Sequence, residues 1–191
     1  MHLEHWFPTP IWNSTIEFDR ISVLEECYRI KNSDPDGRKI SNRGGWQSSE
    51  LSIGNNKIFE QLYSGIQSKC SEVYKSIDTD FKGTIDTLWI NINKPSDYNA
   101  AHCHPFGALS GVVYINVSDI SGKIRFNNPS IRQHYPIDGY DSPLFFMYTD
   151  FIPKNHKILI FPSWISHEVF PSPDSDENRV SMSFNITQIK I

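Results

Sequence analysis

From residue 85 onward, apolar side chains recur at every second position, and this constrains the fold more than any other feature of the chain. The runs IDTLWININ, LSGVVYINV, KIRFN, PLFFMY, KILIFP and RVSMSFNI are rich in β-branched and aromatic residues and are divided by Pro, Gly, Asn and Asp. A period of two sends alternate side chains to opposite faces of a strand. Many short strands of this kind after a helical segment predict a closed or sandwiched antiparallel sheet with helices on one side.

Before residue 85 the spacing is helical. Ile21, Leu24, Cys27 and Tyr28 predict a helix over 21–31, with Asp19 as its cap. Ile58, Leu62, Ile66, Cys70, Val73 and Ile77 form one apolar stripe, which predicts a second helix over 56–77 packed against the sheet. Segment 33–54, with SDPDG and RGG, reads as a long loop, and 127–143 as a surface excursion near the mouth of the barrel. At 191 residues with a 38% hydrophobic share, the chain suits one domain. Residues 1–84 are expected as helical and loop support, and 85–191 as the β core.

Composition argues against several partners. A net charge of −4 supplies no basic face for nucleic acid. No polybasic run and no apolar stretch of about 20 residues points to a membrane. The opening MHLEHWFPTPIW lacks the basic and apolar regions of a secretory signal. Cys27, Cys70 and Cys103 are odd in number and lack CxxC spacing, so reduced thiols and a cytoplasmic home are expected. A homodimer is left open.

Two segments carry metal chemistry. On an extended chain His102 and His104 point together while Cys103 points away, and His167 ends a strongly apolar strand. A lone histidine is more often a surface or satisfied core residue, but three in two strand-end motifs make a candidate open metal site. Imidazole suits iron. Structural zinc would need a closed fourth ligand, for which Cys103 faces the wrong way. In RVSMSFNI, Val180, Met182, Phe184 and Ile186 alternate with Arg179, Ser181, Ser183 and Asn185. If the apolar face packs on the helices, Arg179 and Ser181 project into the barrel, where a buried guanidinium demands an anionic partner. The alternative places Arg179 at a solvent edge near Asp174, Asp176 and Glu177.

These motifs resemble the HxD…H…RxS signature of 2-oxoglutarate/Fe(II) oxygenases. The resemblance lies in His167-Glu168-Val169 followed by Arg179-Val180-Ser181, and in Tyr98, His102 and His104 leading to Val113-Tyr114-Ile115-Asn116, as in the prolyl-hydroxylase branch. A closer likeness is to the bacterial and phage group with FPTP (7–10), GGWQS (44–48), WxN (89–91), HxHPxxxLSGVxY (102–114), FPSWxxHxV (161–169) and RxSxSFN (179–185). It spans nearly the whole chain.

The resemblance implies a double-stranded β-helix, the cupin-like jelly roll, with Fe(II) and 2-oxoglutarate as cofactors. It also implies His102 and His167 as iron ligands. Arg179, Ser181 and Tyr114 would hold the distal carboxylate of 2-oxoglutarate, and Asn91, Asn93 or Tyr98 would contact its other end. A packed core aromatic is the alternative for Tyr114. The superfamily normally carries Asp or Glu at the position of His104, so three outcomes stand open here: a three-histidine site, a His104 outside the coordination sphere, or a different metal. Ligation fits the spacing of two best.

The implied reaction consumes O2 and 2-oxoglutarate and hydroxylates a protein side chain, such as proline, or a small metabolite. Segments 33–54 and 127–143 are candidates to close over it. Trp46, Trp164, Phe106 and Tyr140 are candidates for the mouth, with core or surface positions as the alternative. Two rivals remain: a three-histidine cupin-type dioxygenase that needs no 2-oxoglutarate, and a non-catalytic binding protein on the same barrel. The first typically places a glutamate soon after HxH, which Pro105 to Ser110 lacks.

Overall fold

The computed structural model describes residue 2 and residues 8–52, 54–77, 79–105, 107–130, 146–173 and 177–190. Among these, strands and helices follow in the order β1 (Trp12–Thr15), α1 (Arg20–Ser33), β2 (Asn42–Arg43), β3 (Trp46–Gln47), a 3-10 turn (Lys57–Phe59) and α2 (Glu60–Ser76). Then come β4 (Phe81–Asn93), β5 (Tyr98–His102), β6 (Leu109–Asn116), β7 (Ile124–Asn127), β8 (Tyr148–Phe151), β9 (Lys157–Pro162), β10 (His167–Val169) and β11 (Arg179–Lys190).

The strands form two antiparallel sheets, one ordered β1-β9-β6-β11-β4-β3 and the other β2-β5-β10-β7-β8. Chain-distant neighbours in both sheets wind the polypeptide back and forth between two layers, which is the double-stranded β-helix arrangement.

Alternation along the strands builds two cores. Val180, Met182, Phe184 and Ile186 of β11 join Leu88, Ile90 and Ile92 of β4 and Leu62, Ile66, Cys70 and Val73 of α2 in one cluster on the helix side. Each of these side chains contributes about 1.5–3 kcal/mol by leaving water. Val112 and Tyr114 of β6 and Leu159 and Phe161 of β9 turn the other way, meeting Ile124, Phe126 and Val169 of the second sheet. Gly111 of β6 pairs with Phe184, and a side chain there would run into that ring and come within 2.6 Å of the Leu159 carbonyl.

Asp19 caps α1 as expected, its carboxylate accepting from the Ser22 amide at 3.2 Å. The α1 face differs: Val23 and Cys27 are buried, while Ile21 is 63% exposed. On α2 the stripe is buried from Leu62 to Val73, but Ile58 and Ile77 at its ends are exposed. The segment expected as a long loop adds β2 to one sheet, through Asn42–Asn99, and β3 to the other, through Trp46–Ile92 and Gln47–Asn91. Trp46 is therefore a core residue, its indole N–H donating to the Asp34 carbonyl at 2.8 Å, and Trp164 is exposed. Phe106, Tyr140, residues 131–143 of the expected excursion, and Asp174 and Asp176 lie outside the described residues. Among the described residues, no helix is long and apolar enough to cross a membrane.

Candidate functional site

The register of the second sheet sets His102 of β5 directly opposite His167 of β10. Paired residues share a face, so the two rings lie side by side with centroids 4.3 Å apart. Just beyond the end of β5, the His104 amide donates to the Ser163 carbonyl at 2.8 Å, bringing its ring to 5.2 Å from each of the other two. One ligand atom from each of the three imidazoles lies within 4.8 Å of the others.

Their hydrogen bonds decide which nitrogen is free. His102 Nδ1 lies 2.7 Å from the Ala100 carbonyl and His167 Nδ1 lies 3.0 Å from the Ile165 carbonyl. A carbonyl only accepts, so both Nδ1 atoms carry the proton and both Nε2 atoms keep a lone pair. His104 Nδ1 meets Asn185 Oδ1 at 2.7 Å and Ser110 Oγ at 2.8 Å. Burial pushes the pKa of all three down, that of His167 to about 3, with the His102 ring as its next cause. Three neutral imidazoles in one place are what metal ligation requires.

The inner face of the first sheet supplies the opposite wall, row by row. Arg179 pairs with Asn93, and Ser181 lies between Asn91 on β4 and Tyr114 on β6. Arg179 is 3% exposed; its Nε donates to the Gly122 carbonyl at 3.2 Å and its Nη1 to Ser181 Oγ at 3.1 Å. Gly122 is held close by its own backbone, since a side chain there would strike the Phe170 carbonyl. The remaining Nη2 of Arg179 and the hydroxyl of Tyr114 are buried and have no well-formed hydrogen bond among the described residues, although the guanidinium and Tyr114 lie close enough to interact with each other. Burial also depresses the Arg179 pKa. Two unmatched donors beside a desolvated cation fit a carboxylate ligand, because leaving them unpaired is costly.

The histidines and Arg179 line one cavity of about 470 Å³. Asn91 and Ser181 line it too, and Asn91 Nδ2 donates to Ser183 Oγ at 3.0 Å. Asn93 is buried behind the wall, its Nδ2 donating to Asn99 Oδ1 at 3.3 Å. Tyr98, expected near the diacid, is 42% exposed, paired with Arg43 at the sheet edge and outside the cavity lining. Sequence reasoning missed Asn99 of β5, and it missed Gln47 and Arg38 from the supposed loop, all of which line the cavity. It also gave no role to Asn185 and Ser110, although Asn185 belongs to the same alternating polar face as Arg179.

A double-stranded β-helix that gathers imidazoles from two strand ends opposite a buried arginine suits a metal ion held beside an anionic ligand. Residues 87–185, more than half of the chain, match the family described as "Putative 2OG-Fe(II) oxygenase". The chain belongs to this 2-oxoglutarate/Fe(II) oxygenase family, whose cofactors are Fe(II) and 2-oxoglutarate.

Solved structures share the fold at low identity. A Pseudomonas putida prolyl-4-hydroxylase is 14% identical, with a TM-score of 0.67 over 94% of this chain and 92% of that one. A Trichoplax adhaerens prolyl hydroxylase, solved with a hypoxia inducible factor oxygen degradation domain peptide, is 12% identical, with a TM-score of 0.68 over 93% and 83%. HygX from Streptomyces hygroscopicus, solved with nickel and 2-oxoglutarate, is 12% identical, with a TM-score of 0.60 over 94% and 82%. No curated protein sequence matches the chain.

Proposed function

We propose that this oxygenase is a hydroxylase that acts on a protein side chain, with proline the first candidate. In this reading His102, His104 and His167 hold Fe(II). Arg179, Ser181 and Tyr114 hold the distal carboxylate of 2-oxoglutarate, and Asn91 lies toward its other end. The observation that carries it is the cavity shared by three neutral imidazoles and a buried arginine with an unmatched N–H.

When bound, iron and 2-oxoglutarate together supply the oxidation, in which O2 converts the diacid to succinate and CO2 and a substrate C–H to C–OH. The protein does the rest. His102 and His167 offer Nε2 because their Nδ1 protons are tied to carbonyls two residues earlier. Arg179 orients the diacid by a charge-assisted contact from Nη2, with Ser181 steadying the guanidinium through Nη1. The apolar wall of Phe126, Phe161 and Val169 keeps water from the inner side of His167. A small metabolite is the second reading, favoured by a cavity of only about 470 Å³. Three free cysteines, Cys27 and Cys70 among them buried, support a reducing cytoplasmic setting.

The test is turnover with Fe(II), 2-oxoglutarate and prolyl peptides, read as succinate and as a one-oxygen mass gain. Iron-dependent succinate that rises with peptide and vanishes in His167→Ala supports the proposal. Oxygen uptake that proceeds equally well without 2-oxoglutarate contradicts it.

A further inference from the structure

The three histidines are not oriented in the same way. His102 and His167 each bond the carbonyl two residues earlier, so their own backbone sets the ring. His104 lies past the end of β5 and before Pro105, and among the described residues its Nδ1 meets the side chains of Asn185, at Oδ1, and Ser110, at Oγ. These come from β11 and β6, where Asn185 and Ser110 are paired in register, with Thr87 of β4 on the other side of Asn185.

One row across three strands thus ends on one imidazole. Asn185 Nδ2 donates to Thr87 Oγ1 at 2.9 Å, and that turns Oδ1 toward His104. Ser110 Oγ donates to the same Oδ1 at 2.8 Å and sits 2.8 Å from Ser163 Oγ, whose residue's carbonyl receives the His104 amide. An imidazole is a ligand through only one nitrogen at a time, and the proton on the other chooses which.

Resting on the three-imidazole reading above, we propose that Asn185, seated by Thr87 and Ser110, is a positioning residue that keeps the proton on His104 Nδ1 and presents Nε2 to the metal. Among the described residues, the acceptors at His104 Nδ1 are side chains rather than backbone carbonyls. In this role Asn185 acts through His104, by the contact of its Oδ1 with Nδ1.

Co(II) binding to the full chain, followed by ligand-field absorption, tests this. Asn185→Ala is expected to weaken Co(II) binding about 10–100-fold. Asn185→Asp, which keeps an acceptor at Nδ1 and can accept from Thr87, is expected to regain most of it. Parent-like affinity in Asn185→Ala, or an Asp variant as weak as the Ala variant, overturns the proposal. In the unmodified protein loaded with Zn(II), histidine-ring ¹⁵N spectra are expected to show His104 protonated at Nδ1 and bound through Nε2. The reverse assignment overturns the proposal even where a variant fails to fold. His104→Ala separates the two levels: parent-like Co(II) affinity there removes His104 from the metal and with it the three-imidazole reading itself.

Discussion

The two faces of the six-stranded sheet come from the same strands but do opposite things. On the helix side β11 presents Val180, Met182, Phe184 and Ile186, all fully buried among apolar neighbours. On the barrel side the intervening residues are Arg179, Ser181, Ser183 and Asn185, and they face a cavity. One face removes apolar area from water and stabilises the fold. The other holds a buried cation with an N–H that has no well-formed partner among the described residues, an arrangement that costs stability unless something pairs with it. The difference teaches that stability and binding are separable here along a single strand.

That separation is testable. The largest expected effect is on the barrel side: His167→Ala abolishes metal binding in a Mn(II) titration, while circular dichroism still shows the folded protein. Leu62→Ala, on the helix side, is expected to cost about 2–5 kcal/mol in urea unfolding without changing 2-oxoglutarate affinity in the folded protein. A change in that affinity would break the comparison. Arg179→Ala is expected to weaken 2-oxoglutarate binding by about 2–5 kcal/mol in calorimetry, yet to leave metal-free stability unchanged or raised.

The last effect is a pH dependence, small over any single pH unit. Burial holds His167 near a pKa of about 3 against an ordinary 6.5, so between these values the unfolded chain binds the extra proton. Stability of the metal-free protein therefore falls as pH drops through this window, by up to about 1.4 kcal/mol per unit. His167→Gln should flatten that slope in urea titrations, and an unchanged slope would assign it elsewhere.

Much of this division was legible in the sequence because a period of two reports both faces at once. Arg179 and Ser181 stand out as polar partners of an apolar stripe, and the spacing of His102 and His104 anticipates a shared direction. The rest depended on pairing across the chain. Two-residue strands such as Asn42–Arg43 and Trp46–Gln47 are too short to show a period, so a sheet edge read as a loop. Trp46 was open to mouth, surface and core readings, because the pairing with Ile92 of β4 that places it is long-range. Ile21, Ile58 and Ile77 continue an apolar spacing past the point where anything packs on it. Asn185 was visible as a polar residue, but its meeting with His104 depends on the register that sets Thr87, Asn185 and Ser110 in one row.

The most direct test is a crystal structure of the protein grown with Mn(II) and 2-oxoglutarate. The account predicts one ion on Nε2 of His102, His104 and His167, with the far carboxylate of the diacid against Arg179 Nη2 and the Tyr114 hydroxyl. An ion bound elsewhere, or a diacid lying away from Arg179, would contradict it.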